Sequence, residues 1–169
     1  MPLVHLIRHG EPAVRGLLLG CTDAPLGTAV IPPSSIAVAS LFASPLLRAH
    51  RTAELLFPAV PITLVAALKE RDLGDWDGLK WDAVEQDWPK LASRAAYDWL
   101  GTTPPNGEAW PRFVERVAGA WQMIRSAPWP IVIVAHAGVN AALAECIAGQ
   151  KPLEFRQDYL EVLTFEFAD

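Results

Sequence analysis

The chain opens on a short apolar run, Val4–Arg8, that stops abruptly in charge and glycine. A run this brief and this continuously apolar predicts a buried strand rather than a half-exposed alternating one. Residues 10–35 carry glycines at 10, 16, 20 and 27 and prolines at 12, 25, 32 and 33, which predicts irregular chain. Apolar positions resume over Ile36–Ala43, of which Ser40–Ala43 reads as a second strand. From Pro45 the period changes. Leu46, Leu47, Ala49, Ala53, Leu56 and Phe57 recur at helical spacing, with Ser44 as the expected N-cap, Pro45 at the first helical position and Pro58 as the terminator. Ile62–Leu64 reads as a short strand and 69–79 as a turn-rich loop. Trp81–Leu100 reads as a helix bent or split at Pro89, followed by a loop over Gly101–Gly107. Glu108–Ala127 predicts a long helix presenting Phe113, Val114, Val117, Trp121 and Ile124 on one face. Ile131–Ala135 is the clearest buried strand, Ala137–Ala148 a helix closed by Gly149, and Leu160–Phe167 a final strand. Strands alternating with helices predict a three-layer α/β/α sandwich around a mainly parallel sheet.

Composition narrows the class. The 169 residues suit a single domain spanning 1–169, and 51% hydrophobic with 20% charged is the balance of a packed globule. Fourteen basic residues against 19 acidic ones leave a net charge of -5, which argues against nucleic acid or a membrane surface as partner. Cys21 and Cys146 lie far apart with no C-x-x-C spacing, so neither a zinc site nor a disulfide framework is expected. Free thiols fit a reducing cytoplasm. The start of the chain lacks the basic-then-apolar pattern of a signal peptide, and no apolar run approaches the ~20 residues of a bilayer span. The expectation is a cytoplasmic protein with no metal and no other cofactor.

Only four histidines are present: His5, His9, His50 and His136. In open α/β sheets ligands bind outside the carboxyl ends of the strands. Both strong strands end in histidine, VHLIR in His9 and IVIVA in His136, with Gly10 and Gly138 close behind to let backbone approach a ligand. Arg8 adds a forked cation there. A further cation comes from the S-P-L-L-R helix start, where spacing alone leaves Arg48 and Arg51 nearly even. Clustered donors and positive charge within an acidic chain point to a phosphate or other oxyanion. A neutral imidazole nitrogen can attack phosphorus, and arginines can hold the charge that spreads over its oxygens. Glu70 is the expected general acid, although Asp72, Asp75 and Asp77 beside it also read as an acidic surface turn. His5 reads as a packed strand residue and His50 as a solvated helix residue. Trp76, Trp81, Trp88, Trp99 and Trp110 are candidates for lining a pocket or for packing.

Four segments in order, IRHGE (7–11), SPLLRAHRTAE (44–54), LKERDLGDWDGL (68–79) and VAHAGV (134–139), resemble the motifs of the histidine phosphatase (phosphoglycerate-mutase-like) superfamily. The resemblance implies a metal-independent phosphomonoesterase with His9 as the phosphorylated nucleophile. It further implies phosphate binding by Arg8, Arg48 and His136, and proton donation by Glu70. GCTDAPL (20–26) and the segment from Asp98 to Val117 resemble the α-ribazole phosphatase group, which implies α-ribazole 5′-phosphate or adenosylcobalamin 5′-phosphate as substrate. By the same likeness the backbone at Gly107 and Glu108 lies beside the site, with Glu108 and Glu11 in secondary roles. Other phosphosugars, nucleotides or phosphoproteins, or a binding role without turnover, are the alternatives.

The chain departs from the family pattern at several points. Residues 27–43, GTAVIPPSSIAVASLFA, are too short and proline-rich for the usual helix plus strand. One sheet face is therefore expected to lack cover, with a second copy of the chain, a homodimer, as the expected occupant. Arg15 stands where the mutase-like motif often has Asn, and Ala135 replaces the common Ser or Thr. The long insertions that enclose the substrate of true mutases have no room here.

Overall fold

A computed structural model describes residues 2–87 and 100–167. The strands are β1 (Leu3–Arg8), β2 (Ser40–Ala43), β3 (Ile62–Leu64), β4 (Ile131–Ala135) and β5 (Val162–Glu166). They form one sheet in the order β3-β2-β4-β1-β5. All neighbours are parallel except β5, which pairs antiparallel with β1 at the edge. The register sets Val4 opposite Ile131 and Arg8 opposite Ala135, so β1 and β4 end at the same level. The His9 amide then donates to the Ala135 carbonyl at 2.9 Å, which extends the ladder by one residue. That pairing fixes His9 and His136 at one sheet edge.

The helices are α1 (Leu47–Leu56), α2 (Trp81–Asp87), α3 (Trp110–Ile124) and α4 (Ala137–Ala148). Alternation along β1 and β4 sends Val4, Leu6, Ile131 and Ile133 to one face. There they are buried against α3 and α4 through Val117, Trp121 and Leu143. Ile7, Val132 and Val134 point the other way and pack with Ala53 and Phe57 at α1. This is the expected sandwich. No described helix is long and apolar enough to cross a membrane.

The face expected to lack cover is closed. Residues 28–39 form neither helix nor strand, yet Ile36 and Val38 pack onto that face beside α1. Ile7, Val132 and Val134 are left fully buried within one chain. An extended segment covers less width than a helix, but this sheet is short enough for it to suffice. The argument for a second copy on that face therefore loses its premise.

Several boundaries move, each for a local reason. α1 starts at Leu47 rather than Pro45, with Leu46 at the N-cap position and no cap from its side chain. Asp23 of the preceding loop supplies the acceptor instead, taking the Leu47 amide at 2.6 Å. α3 starts at Trp110, with Pro111 in its first turn, so Glu108 precedes the helix. The Glu108 amide is spent on the Asp72 carbonyl (2.8 Å). Of the helix expected over Trp81–Leu100, α2 covers the first seven residues; Trp88, Pro89 and Trp99 lie outside the described residues. α4 matches the expectation, and Gly149 closes it in the left-handed region (φ 66°). β5 begins at Val162, because Leu160 is itself left-handed (φ 64°) and its amide turns to the Arg8 carbonyl at 3.0 Å.

Candidate active site

His9 leaves the end of β1 6% exposed, its ring wedged between neighbours from three other segments. Its Nδ1 lies 2.7 Å from the Gly10 carbonyl, which can only accept, so Nδ1 carries the hydrogen. Nε2 is left with its lone pair, facing the Arg48 Nε–H at 3.3 Å. Burial, reinforced by the charges of Arg48 and Arg8, lowers the His9 pKa to about 3 against the pull of the Gly10 bond. The imidazole is therefore neutral at ordinary pH. His136 stands edge-on to it with ring centroids 5.1 Å apart. Its Nε2 is 2.8 Å from Ser44 Oγ, its Nδ1 is buried without a partner, and burial beside His9 and Arg48 also holds it well below the usual imidazole range.

Arg48 settles the choice left open by spacing. It is 1% exposed and donates to the carbonyls of Thr22 (2.8 Å) and Gly20 (2.9 Å), while Arg51 stays outside and pairs with Glu54. Asp77 holds that turn in place by accepting from the Gly20 and Thr22 amides, both at 3.0 Å. Arg8 donates to the Gln157 carbonyl at 2.8 Å and lies under the Tyr159 ring at 4.0 Å. Arg8, Arg48, His9 and Glu70 line one pocket of about 170 Å³, with Glu11 and Arg15 paired across its mouth at 2.8 Å. Three arginines meet there in a chain of net charge -5.

Glu70 is held at both oxygens: Oε1 accepts from the Arg71 amide (3.0 Å) and Oε2 from the Gly138 amide (3.1 Å). Removal from water pushes its carboxyl above the usual value, against those two bonds and the charges of Arg48 and Arg8. A Cβ at Gly138 would sit 2.5 Å from Oε1, so only glycine admits the carboxylate this close to α4. The three aspartates of the same turn hold loops in place instead, Asp72 and Asp77 through backbone amides and Asp75 through a side-chain amide. Asp72 takes the Gly74 amide, Asp75 takes Asn106, and Asp77 takes the 20–22 turn.

The remaining candidates divide. Glu11 reaches the mouth of the pocket. Glu108 does not reach it: its carboxylate pairs with Arg116 at 2.7 Å and its carbonyl takes Arg71, so it braces the Glu70 loop from behind. Gly107 packs its backbone against Asp72 and Gly74 in that same brace. His5 bonds Thr164 within the sheet, and His50 sits near Glu54 on the surface. Trp76 is core, whereas Trp110 lines a second cavity of about 400 Å³ that shares Arg8 and Glu70 with the first. Among the described residues no group of three or more His, Cys, Asp and Glu is gathered to hold a metal ion.

Four participants are not among the candidates: Ser44 and Thr52, which lie within the 44–54 motif, and Gln157 and Tyr159. Ser44 reads as a cap; it does accept the Leu46 amide (3.3 Å), and the same hydroxyl also orients His136. Thr52, four residues after Arg48, passes its hydrogen to the Arg48 carbonyl (2.6 Å) and accepts the Gly10 amide (2.9 Å), a spacing that was legible. Gln157 and Tyr159 come from the far end of the chain and carried no local signal.

A family model, "Histidine phosphatase superfamily (branch 1)", matches residues 32–169. A 2,3-bisphosphoglycerate-dependent phosphoglycerate mutase of Bartonella quintana is 28% identical, over 85% of this chain and 80% of its own. The adenosylcobalamin/alpha-ribazole phosphatase of Escherichia coli is 27% identical, over 85% of this chain and 78% of its own. Among solved structures, the alpha-ribazole phosphatase from Shigella flexneri superposes with a TM-score of 0.78 at 27% identity, over 97% of this chain and 90% of that one.

Proposed function

Since the chain belongs to the histidine phosphatase superfamily, whose relatives here are phosphatases and mutases, we propose that it is a phosphomonoesterase working through a phosphohistidine on His9. One observation carries this reading. Nδ1 of His9 is tied to a carbonyl, so Nε2 carries the lone pair, which accepts from the Arg48 Nε–H at 3.3 Å on the wall of a pocket flanked by Arg8, Arg48 and Glu70.

In the first step Nε2 attacks phosphorus and the bond from phosphorus to the ester oxygen breaks. Protonated Glu70 gives its proton to the departing alcohol. Arg8 and Arg48 balance the charge on the phosphoryl oxygens, so the protein's own cations supply the electrostatic stabilisation. In the second step Glu70 takes a proton from water, water oxygen attacks phosphorus, and the nitrogen–phosphorus bond breaks. Inorganic phosphate leaves and both residues return to their starting states.

The larger cavity bears on the substrate. Leu17, Leu19, Trp110, Leu153 and Phe155 give it an apolar wall next to Glu70, where the leaving group departs. Arg71, on the same wall, gives Nε and NH2 to carbonyl oxygens, and Arg156 gives NH1 to two more. Such a wall suits a ring-bearing alcohol better than the carboxylate of a phosphoglycerate, and supports α-ribazole 5′-phosphate, whose benzimidazole base is apolar, as the substrate.

The test is His9→Ala with p-nitrophenyl phosphate, with circular dichroism to check the fold. Turnover falls by about 10⁴ or more, and acid-labile phosphate carried by the wild-type protein during turnover is absent from the variant. Unchanged turnover in the variant, or turnover only on addition of Mg²⁺, defeats the mechanism. A higher kcat/KM on 3-phosphoglycerate than on α-ribazole 5′-phosphate defeats the substrate assignment alone.

A further inference from the structure

Segment 157–161 crosses beneath the end of β1 and reaches the pocket from the C-terminal side of the chain. The Leu160 amide donates to the Arg8 carbonyl (3.0 Å) and the Arg8 amide to the Glu161 carbonyl (3.4 Å). Leu160 adopts the left-handed region to do so (φ 64°), a conformation an ordinary side chain enters only when its surroundings hold it there. Gln157 pins the segment: its amide nitrogen donates to the carbonyls of Leu6 (2.9 Å) and Glu161 (3.0 Å), and its side-chain oxygen accepts from Asn140 on α4 (2.9 Å). Gln157 is 6% exposed and Asn140 is fully buried, so this link is part of the core rather than a surface contact. What it delivers is Tyr159, whose ring lies 4.0 Å over the Arg8 guanidinium and 5.5 Å from the His9 ring, on the wall of the pocket.

We infer that Tyr159 is a positioning residue for phosphate binding, acting through Arg8 by fixing the plane of its guanidinium with the face of the aromatic ring. The inference rests on reading this pocket as a phosphate site. Arg8 needs such a constraint. Among the described residues its side-chain hydrogen bond is the NH1 contact to the Gln157 carbonyl, and one bond lets the planar group rotate. A ring stacked on one face removes that freedom and leaves the donors of the other edge for phosphoryl oxygen. Arg48, by contrast, is locked by two carbonyls and needs no such plate.

The experiment compares wild type with Tyr159→Phe, Tyr159→Ala, Arg8→Ala and the Arg8→Ala/Tyr159→Ala double variant. Inorganic phosphate and orthovanadate binding is measured by calorimetry, and kcat and KM with p-nitrophenyl phosphate. Tyr159→Ala weakens phosphate about tenfold, with a similar loss in kcat/KM, the range of a partly desolvated cation–π contact. Tyr159→Phe, which keeps the ring, retains most of the affinity. In the Arg8→Ala background the Tyr159→Ala change adds nothing, because both act through one group. Tyr159 is 40% exposed, so thermal midpoints stay close to wild type. Wild-type affinity in Tyr159→Ala, an equal loss in Tyr159→Phe, or full additivity in the double variant each overturns the inference. The binding arm separates it from the hydrolase reading. Phosphate bound through Arg8 and Tyr159 without turnover fails only the latter, and turnover through His9 with Tyr159→Ala unaffected fails only the former.

Discussion

A histidine can serve as nucleophile only with one ring nitrogen unprotonated and uncharged, and His9 meets both conditions by placement rather than by chemistry of its own. The lone pair of Nε2 is held by the Arg48 Nε–H, which an incoming phosphoryl group would take over. The Gly10 carbonyl takes one nitrogen, and burial with two neighbouring arginines keeps the ring neutral down to about pH 3. Glu70 is tuned in the opposite sense: burial raises its carboxyl, which keeps the acid form available for the leaving alcohol. Raising pH through that elevated value removes the proton the first step needs. Glu70→Gln therefore loses the alkaline limb that Glu70 imposes on kcat/KM, while the acid limb set by His9 persists. Comparing the two profiles isolates Glu70, because ionisation of the substrate is common to both. The same variant lowers kcat/KM, which reports the first step alone, by about 10²–10⁴ for alkyl phosphates and much less for p-nitrophenyl phosphate, since nitrophenolate departs without a proton. Equal losses on the two ester types would assign the proton to another donor.

At the level of elements, the site is assembled from ends: the ends of β1 and β4, the start of α1, and the turns at 20–23 and 69–77. β4 and α4 were legible because an all-apolar run and a glycine stop are local signals. The start of α1 was not. Ser44 takes the Leu46 amide as a cap would, but the Leu47 amide goes to Asp23, which arrives from 24 residues upstream. Arg48 is another case. Helical spacing put Arg48 and Arg51 close to even, and what separates them is the 20–22 turn, which tertiary contacts bring over α1. The turn depends in its own right on Asp77, which read as one more charge in an acidic loop. Asp77→Ala frees two amides and loosens the carbonyls that hold Arg48. A loss of about 1–2 kcal/mol in stability, read from the urea midpoint, should accompany a several-fold fall in kcat/KM. A full stability loss with untouched kinetics would show that the turn does not govern Arg48.

For the whole molecule, the architecture was legible from the alternation of strands and helices, whereas the cover of one face was not. A missing helix reads as a gap until the extended chain at Ile36 and Val38 is seen to fill it. Nor could composition show that the price of the site is acid sensitivity. Three of the four histidines, His5, His9 and His136, are buried, and all three have pKa values lowered from the ordinary 6.5. Below about pH 6.5 the unfolded chain therefore takes up protons on these rings before the folded chain, which holds His9 neutral to about pH 3. Stability that is complete above the unfolded value is thus lost as pH falls through that window, at up to about 1.4 kcal/mol per pH unit for each ring. Glu70 works against this. Its raised value means that the folded state takes up the extra proton at higher pH than the unfolded chain does, which recovers some stability on acidification. With three lowered imidazoles against one raised carboxyl, urea midpoints should fall as pH is lowered from 7 to 5. His9→Gln, which cannot titrate, should flatten the slope by roughly the share of one ring. A slope in His9→Gln equal to that of wild type would mean that the His9 ring is not held neutral, and would remove the nucleophile assigned to Nε2.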